Sequence, residues 1–326
     1  LLDGIKVIEI QAQTGYPVVS AYEFEFLKGE KVVKDRLKDC SLYLILQRPL
    51  TYFQNLILGE GVIDFEIADG INPPLECRLD LEEAKMIKPG GIVDVEIQYY
   101  KDQPDLVPPH NDVAAFKILT EAGEFAVWET PQKLLYEAIV NGLPLYLRGD
   151  ISPYLAYHVH YIGKAWSQNV WNRLTGHHKV QKILTMEDSI SPRSRKLSFE
   201  ISVLLLDIVG FDEGNMIGGY EALIPEKVQP IIHEMKTEEE IDAFFSKPPI
   251  APRAPELTSE AEALLIKLFK PEYNGIMFEN YPNIANGTRS VGYTLANLTV
   301  TRMPMLLTTA HRPNAAMGDV KFEMEA

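Results

Sequence analysis

The feature that most constrains this chain is a change in hydrophobic period near residue 128. Before it, apolar and polar residues alternate in runs such as Ile5–Ile10, Val62–Ile67 and Ile92–Gln98. Successive side chains of a strand point to opposite faces, so such alternation marks strands with one face on a core and one in water. Turn signals separate the runs at Lys28-Gly29-Glu30, Asp69-Gly70, Asn72-Pro73-Pro74 and Pro89-Gly90-Gly91. Half-buried strands joined by short turns favour antiparallel pairing, so residues 1–130 read as an antiparallel β-rich domain, sandwich or barrel-like. Glu82–Lys88 suggests a short helix within it, and Asp102–Asn111, with three prolines, a loop.

After Trp128 the pattern becomes mixed. Thr130-Pro131 followed by Gln132–Val140 has an N-cap, a proline at the first helical position and apolar residues at helical spacing. Gly142–Leu147 and Leu155–Ile162 read as two strands joined by a loop at Arg148–Pro153, and Gln168–Thr185 as a helix. Leu197–Val209 is apolar enough for a central strand. Residues 210–255 are acidic and broken by Pro and Gly, with a helical stretch at Glu238–Phe245. Thr258-Ser259 reads as the cap of a helix over Glu260–Phe269 that Pro271 ends, and Gly292–Leu307 alternates again. The expected fold class is therefore α+β. It divides into a β-rich domain (1–130), a mixed domain with a small central sheet flanked by helices (131–282, with an insertion at about 210–255), and C-terminal strands (283–326) packing on one of the two.

Composition narrows the function classes. With 46% hydrophobic and 24% charged residues the chain is globular. No apolar run approaches the roughly 20 residues of a membrane span, and the start lacks the basic and apolar regions of a secretory leader. Two cysteines, Cys40 and Cys77, are too few for a disulfide framework or a four-thiolate zinc site, so a reduced, cytoplasmic setting is expected. A net charge of −15 argues against nucleic-acid binding over the whole surface. Its distribution is uneven, however: Asp150–Glu200 holds seven basic residues (Lys164, Arg173, Lys179, Lys182, Arg193, Arg195 and Lys196) against four acidic ones. A positive segment inside an acidic chain marks a local phosphate-facing surface.

Four motifs fall in order over this part of the chain: Tyr161-Ile162-Gly163 ending a strand, Arg173 with His177 one turn later, Glu262 on a helix, and Lys270-Pro271-Glu272-Tyr273-Asn274 just beyond that helix. Together they resemble the GIY-YIG nuclease superfamily, in which a tyrosine-bearing strand, a YIG strand, an arginine helix, a glutamate helix and an asparagine turn follow one another. The resemblance covers roughly residues 142–282 and is similar to restriction-type members in carrying His177. The chain has no Gly-Ile-Tyr; Tyr146 is the nearest substitute for the first tyrosine, with Tyr157 as a rival that should share a strand with Tyr161.

The resemblance implies a metal-dependent endonuclease that hydrolyses DNA phosphodiesters, in restriction of or defence against foreign DNA. Under it Glu262 holds Mg²⁺ or Mn²⁺, Arg173 grips the phosphate, and Tyr146 deprotonates or orients the water. A tyrosine has an ordinary pKa near 10, so a positive charge from Arg173 or Lys164 would have to lower it. Tyr161 and His177 would order this network, Lys164, Lys179 and Lys182 would face DNA, and Gly163 and Asn274 would be structural, the latter pinning the glutamate helix to the sheet. The alternative is a catalytically silent fold that binds nucleic acid or protein. The acidic N-terminal half, which would repel DNA, is expected to meet a protein partner or a second copy of the chain.

Overall fold

The structure is a computed structural model. It describes residues 7–20, 23–24, 27, 30–100, 106–165, 178–187, 199–212, 215–217, 231–233, 236–246, 253–313 and 320–324. The chain opens with β1 (Val7–Thr14) and β2 (Val19–Ser20), then helix α1 (Lys31–Leu37) and β3 (Cys40–Pro49). A series of strands follows: β4 (Tyr52–Leu58), β5 (Val62–Ala68), β6 (Leu75–Asp80), β7 (Val93–Tyr99), β8 (Val113–Thr120) and β9 (Phe125–Glu129). Helix α2 (Pro131–Val140) leads to β10 (Tyr146–Arg148), β11 (Ala156–Lys164), α3 (His178–Met186) and β12 (Phe199–Asp212). Next come β13 (Asn215–Ile217), β14 (Ile231–His233), α4 (Glu238–Ser246) and the longest helix, α5 (Pro255–Phe269). The chain finishes with β15 (Leu295–Thr301), β16 (Leu306–Thr308) and β17 (Val320–Glu323).

Two large sheets organise this β-rich α+β chain. The first has strand order β16-β11-β3-β12-β1-β15-β17, with β2 paired to β12. It is mixed: β1 pairs antiparallel with β12 and parallel with β15, and β11 pairs antiparallel with β3 and parallel with β16. Its centre is β3 and β12, whose near-continuous apolar runs suit strands buried on both faces. Alternate residues serve different cores. Leu42, Leu44 and Leu46 pack with Leu257, Ala261, Leu264 and Phe269 of α5. Tyr43 and Ile45 pack on the other face with Val33 and Leu37 of α1, Ile183 of α3 and Tyr273. A buried bond of 2.8 Å between the Ser41 and Thr258 hydroxyls seats α5 on β3.

The second sheet is a single open antiparallel layer, β10-β6-β5-β4-β8-β7, with β9 beside β8. Phe53, Phe65 and Phe116 meet at its centre with ring centroids 5.1–6.2 Å apart, and Leu134 and Leu135 of α2 close the core. All of it lies in the chain between β3 and β11, which are neighbours in the first sheet. The second sheet is thus an insertion between two paired strands. Arg48, at the end of β3, ties the two parts together. Its guanidinium donates to Glu200 of β12 (2.6 Å), to the Tyr154 carbonyl (2.9 Å), to Thr51 (2.8 Å) and to Gln132 of α2 (3.2 Å).

Several expectations need correction. Residue 130 is not a boundary between sheets, because β1, β2 and β3 belong to the sheet that holds β11 and β12. Alternation reports that a strand is half buried, not which sheet it joins. Residues 52–129 do not form a two-layer sandwich but one sheet. Gly142–Leu147 and Leu155–Ile162 are not a hairpin: β10 pairs with β6 in the second sheet and β11 with β3 in the first. Glu82–Lys88 forms turns rather than a helix. Helix α5 begins at Pro255, not Glu260, because a proline at the first helical position starts it earlier than the Thr258-Ser259 pair. The C-terminal strands join the first sheet.

Local capping chemistry explains two other helices. Thr130 accepts from the Lys133 N–H at the start of α2. At α4, Thr237 Oγ1 accepts from the Glu240 N–H while Glu240 accepts from the Thr237 N–H, each at 3.2 Å, a reciprocal capping box.

Between β9 and α2, Glu129 is almost wholly buried. One oxygen accepts from Lys133 at 2.6 Å and the other has no hydrogen-bond partner. Burial pushes its carboxyl up to about 7, against the pull of Lys133. The folded chain therefore holds a proton that the unfolded chain releases near 4.5, and stability falls as pH rises from there through 7. Glu129→Gln should be more stable than the parent at pH 8 by about 2–3 kcal/mol, an advantage that vanishes below pH 4.5. Melting curves with the same difference at both ends of this range would refute it.

Candidate functional site

The site is built on the free edge of β11. Strand β16 covers that edge only as far as His158. Beyond it the turn after α5 takes over: the Tyr273 N–H donates to the His160 carbonyl at 3.1 Å. Asn274 then uses both ends of its amide on one residue, accepting from the Ile162 N–H (3.0 Å) and donating to the Ile162 carbonyl (2.8 Å). A side chain here replaces a missing strand, satisfying backbone groups that an open edge leaves unpaired. The turn itself is set by Lys270, which adopts a left-handed conformation (φ 45°) as the C-cap of α5, and by Pro271. Tyr-Ile-Gly and Asn274, 112 residues apart, are in direct contact.

At the end of β11, Lys164 meets α5. Its ammonium lies 3.2 Å from a Glu262 carboxylate oxygen and donates to the Ser259 hydroxyl at 2.9 Å. Glu262 stands two turns into α5, one exposed face along from the residues that pack on the sheet. These side chains border an open cleft of about 680 Å³, whose far wall is formed by residues 277–284. Glu260 holds that wall in place. Its fully buried carboxylate accepts from the Thr288 N–H and hydroxyl (each 2.8 Å) and from the Tyr281 hydroxyl (3.1 Å). Burial raises its pKa and these three donors oppose the rise. Gly287 is required there, since a Cβ would sit 2.4 Å from a Glu260 oxygen.

The tyrosines separate. Tyr146 is on β10 of the second sheet, opposite Arg78, and borders a different cleft with Asp64, Glu66 and Glu76. The structure does not bring it to Glu262. Tyr157 does share a strand with Tyr161, but it is buried in the α5-side core with its ring 4.8 Å below the Arg48 guanidinium. The tyrosine on the strand that pairs with Tyr161-Ile162-Gly163 is Tyr43, directly opposite Gly163. Sequence reasoning passed over it because the inserted second sheet puts 118 positions between Tyr43 and Tyr161. The signal was the run Cys40–Gln47, apolar enough for a central strand and carrying a tyrosine.

Tyr43 and Tyr161 lie on the sheet face away from α5, with ring centroids 6.1 Å apart. Gly163 makes their approach possible: a Cβ would lie 2.7 Å from both the Tyr43 hydroxyl and Tyr161 Cε1. Gly163→Ala should therefore cost about 1–3 kcal/mol through overpacking. An unchanged urea midpoint would show that the two rings are free to move apart.

Arg173 and His177 lie outside the described residues. Of the other basic candidates, Lys179 and Lys182 are on α3, and the Lys182 ammonium lies 5.5 Å from the centre of the Tyr273 ring. The Tyr273 hydroxyl donates to Glu187 at 2.5 Å, joining the end of α3 to the asparagine turn. His160 sits in a bulge of β11, its ring 4.8 Å from that of His158. Burial lowers the His160 pKa to about 4, so it is neutral at pH 7, with Nε2 donating to Gln47 at 2.9 Å.

Among the described residues no group of three His, Cys, Asp or Glu side chains is placed to hold a metal ion. The cleft instead offers single oxygen donors: the carboxylates of Glu262 and Glu279, the amides of Asn280 and Asn283, and the Ser259 hydroxyl. This set fits Mg²⁺, which takes oxygen ligands and keeps several waters, and Glu262 would be its anchoring carboxylate. No described helix is long and apolar enough to cross a membrane. No protein family, curated protein or solved structure matches this chain.

Proposed function

We propose that the chain is a divalent-metal-dependent endonuclease of the GIY-YIG type acting on DNA, with its centre at the cleft between β11 and α5. The observation that carries this reading is the Asn274–Ile162 pair, which joins the asparagine turn to the Tyr-Ile-Gly strand while Glu262 and Lys164 meet a few residues further along. A strand order in which a tyrosine-bearing strand, β3, lies between β11 and β12 supports it.

Glu262 would hold Mg²⁺ or Mn²⁺, which when bound stabilises charge on the phosphoryl and leaving oxygens. Lys164, half exposed and now balancing Glu262, would turn to a phosphate oxygen. On the sequence alone, Arg173 supplies the guanidinium that grips the phosphate and His177 a proton-transfer partner. Asn274 keeps the strand and helix in fixed relation, so that the cation site and Lys164 need no rearrangement. Restriction of foreign DNA is the biological role that suits a self-contained nuclease of this kind. The chain should nick or linearise plasmid DNA in Mg²⁺ or Mn²⁺ and remain inactive in EDTA.

One observation favours a second reading, a silent fold that binds nucleic acid or protein. Tyr43 is wholly buried and Tyr161 packs against it, both on the face away from Glu262. A chain that binds DNA but cuts neither DNA nor RNA in either metal supports that reading.

A further inference from the structure

We propose that the far wall of the cleft, residues 277–283, is a nucleobase subsite that reads the base beside the scissile phosphate through Asn280 and Asn283. This rests on the endonuclease reading and assigns the base-recognition role within it.

Three observations lead there. First, residues 271–288 form neither helix nor strand. Loops longer than roughly 12–15 residues with no regular structure are uncommon in compact domains and usually functional. Second, this loop is held to one conformation by a buried carboxylate, Glu260, with three hydrogen bonds and a glycine that nothing larger could replace. Rigid support of this kind keeps recognition groups in place. Third, the chemistry of the wall is that of a base reader. Met277 and half-buried Phe278 give it apolar surface, and Asn280 and Asn283 give it paired donors and acceptors.

A phosphate held by Lys164 and a cation on Glu262 occupy one end of the cleft. The volume of about 680 Å³ lies within the range of pockets that enclose a small organic ligand, so space remains for the attached nucleoside. Glu279 on the same wall repels a second phosphate but accepts hydrogen bonds from an exocyclic amino group. The base, not the backbone, is therefore the part of the substrate that this wall fits. Amide side chains can pair with a base edge through two hydrogen bonds, and each such pair discriminates by about five- to a hundredfold.

The test uses the full chain and the double variant Asn280→Ala/Asn283→Ala, two exposed side chains whose removal leaves the core intact. Fluorescent DNA duplexes randomised at their central base pairs are bound in Ca²⁺, and the bound fraction is sequenced. The same library is cut in Mg²⁺ and its ends are sequenced. The parent should prefer one base at one position by at least about fivefold, and the double variant should lose that preference while still binding. A parent without preference, or a variant with the same preference, overturns the subsite. If the preference in binding is lost in the variant but the parent never cuts, the subsite stands and the hydrolytic reading falls.

Discussion

Arg48→Ala should destabilise the chain by about 3–5 kcal/mol, the usual cost of stranding a buried charge by removing its partner. Arg48 is only 3% exposed and Glu200 6%. One Glu200 oxygen already lacks a hydrogen-bond partner, so the ion pair to Arg48 is what keeps this carboxylate in the interior. The same guanidinium binds Thr51, Gln132 and the Tyr154 carbonyl, and Gln132 in turn donates to buried Glu23 at 2.5 Å. Its loss would thus loosen the seam between the first sheet and the inserted one as well as a single contact. Folded domains are stable by only about 5–15 kcal/mol, so the single variant should show a large fall in urea midpoint or fail to accumulate. Arg48→Met with Glu200→Leu removes both charges together and should recover most of the loss. A single variant within about 1 kcal/mol of the parent, or a double variant no better than the single, would show that the seam does not depend on this pair.

What could be read in advance was local. Thr130-Pro131 announced α2 because the cap and the proline act within one turn, and Thr237 with Glu240 did the same for α4. The apolar run at Leu197–Val209 marked a central strand for a similarly direct reason, and β12 is central. Long-range pairing was not legible. The alternation in β1 says that Ile8, Ile10 and Ala12 face a core, but nothing in it says that the partners are β12 and β15, nearly two hundred and three hundred residues away. Tyr146 looked like a hairpin partner of Tyr161 because it was close in sequence, whereas the true neighbour of β11 lies on the far side of an inserted sheet.

The candidate site was partly legible for the same reason. Glu262, Asn274 and Tyr161-Ile162-Gly163 were marked by residue type and order, and the structure places Asn274 on Ile162 and Glu262 beside Lys164. The support behind them was hidden. Glu260, two positions from Glu262, looked like one more helix-start acid until Thr288 and Tyr281 closed on it. Tyr43 gave no local sign of meeting Gly163.

Glu262→Gln is the second large effect. Gln keeps the size and polarity of the side chain and removes the charge that a cation needs. Lys164 and Ser259 remain in place around it, and Glu262 packs no core, so the fold should be unchanged. Metal stabilisation of developing charge is worth several kcal/mol, which corresponds to a loss of roughly 10²–10⁴ in the rate of cleavage. Duplex binding in Ca²⁺ should change little, because phosphate contacts supply most of that affinity. The most direct measurement is the single-turnover rate of plasmid cleavage in Mg²⁺ for the parent and Glu262→Gln, side by side with their duplex affinities. The account predicts EDTA-sensitive cutting by the parent and a drop of at least about a hundredfold in the variant at similar affinity. Equal rates in the two proteins, or no cutting by either, would contradict it.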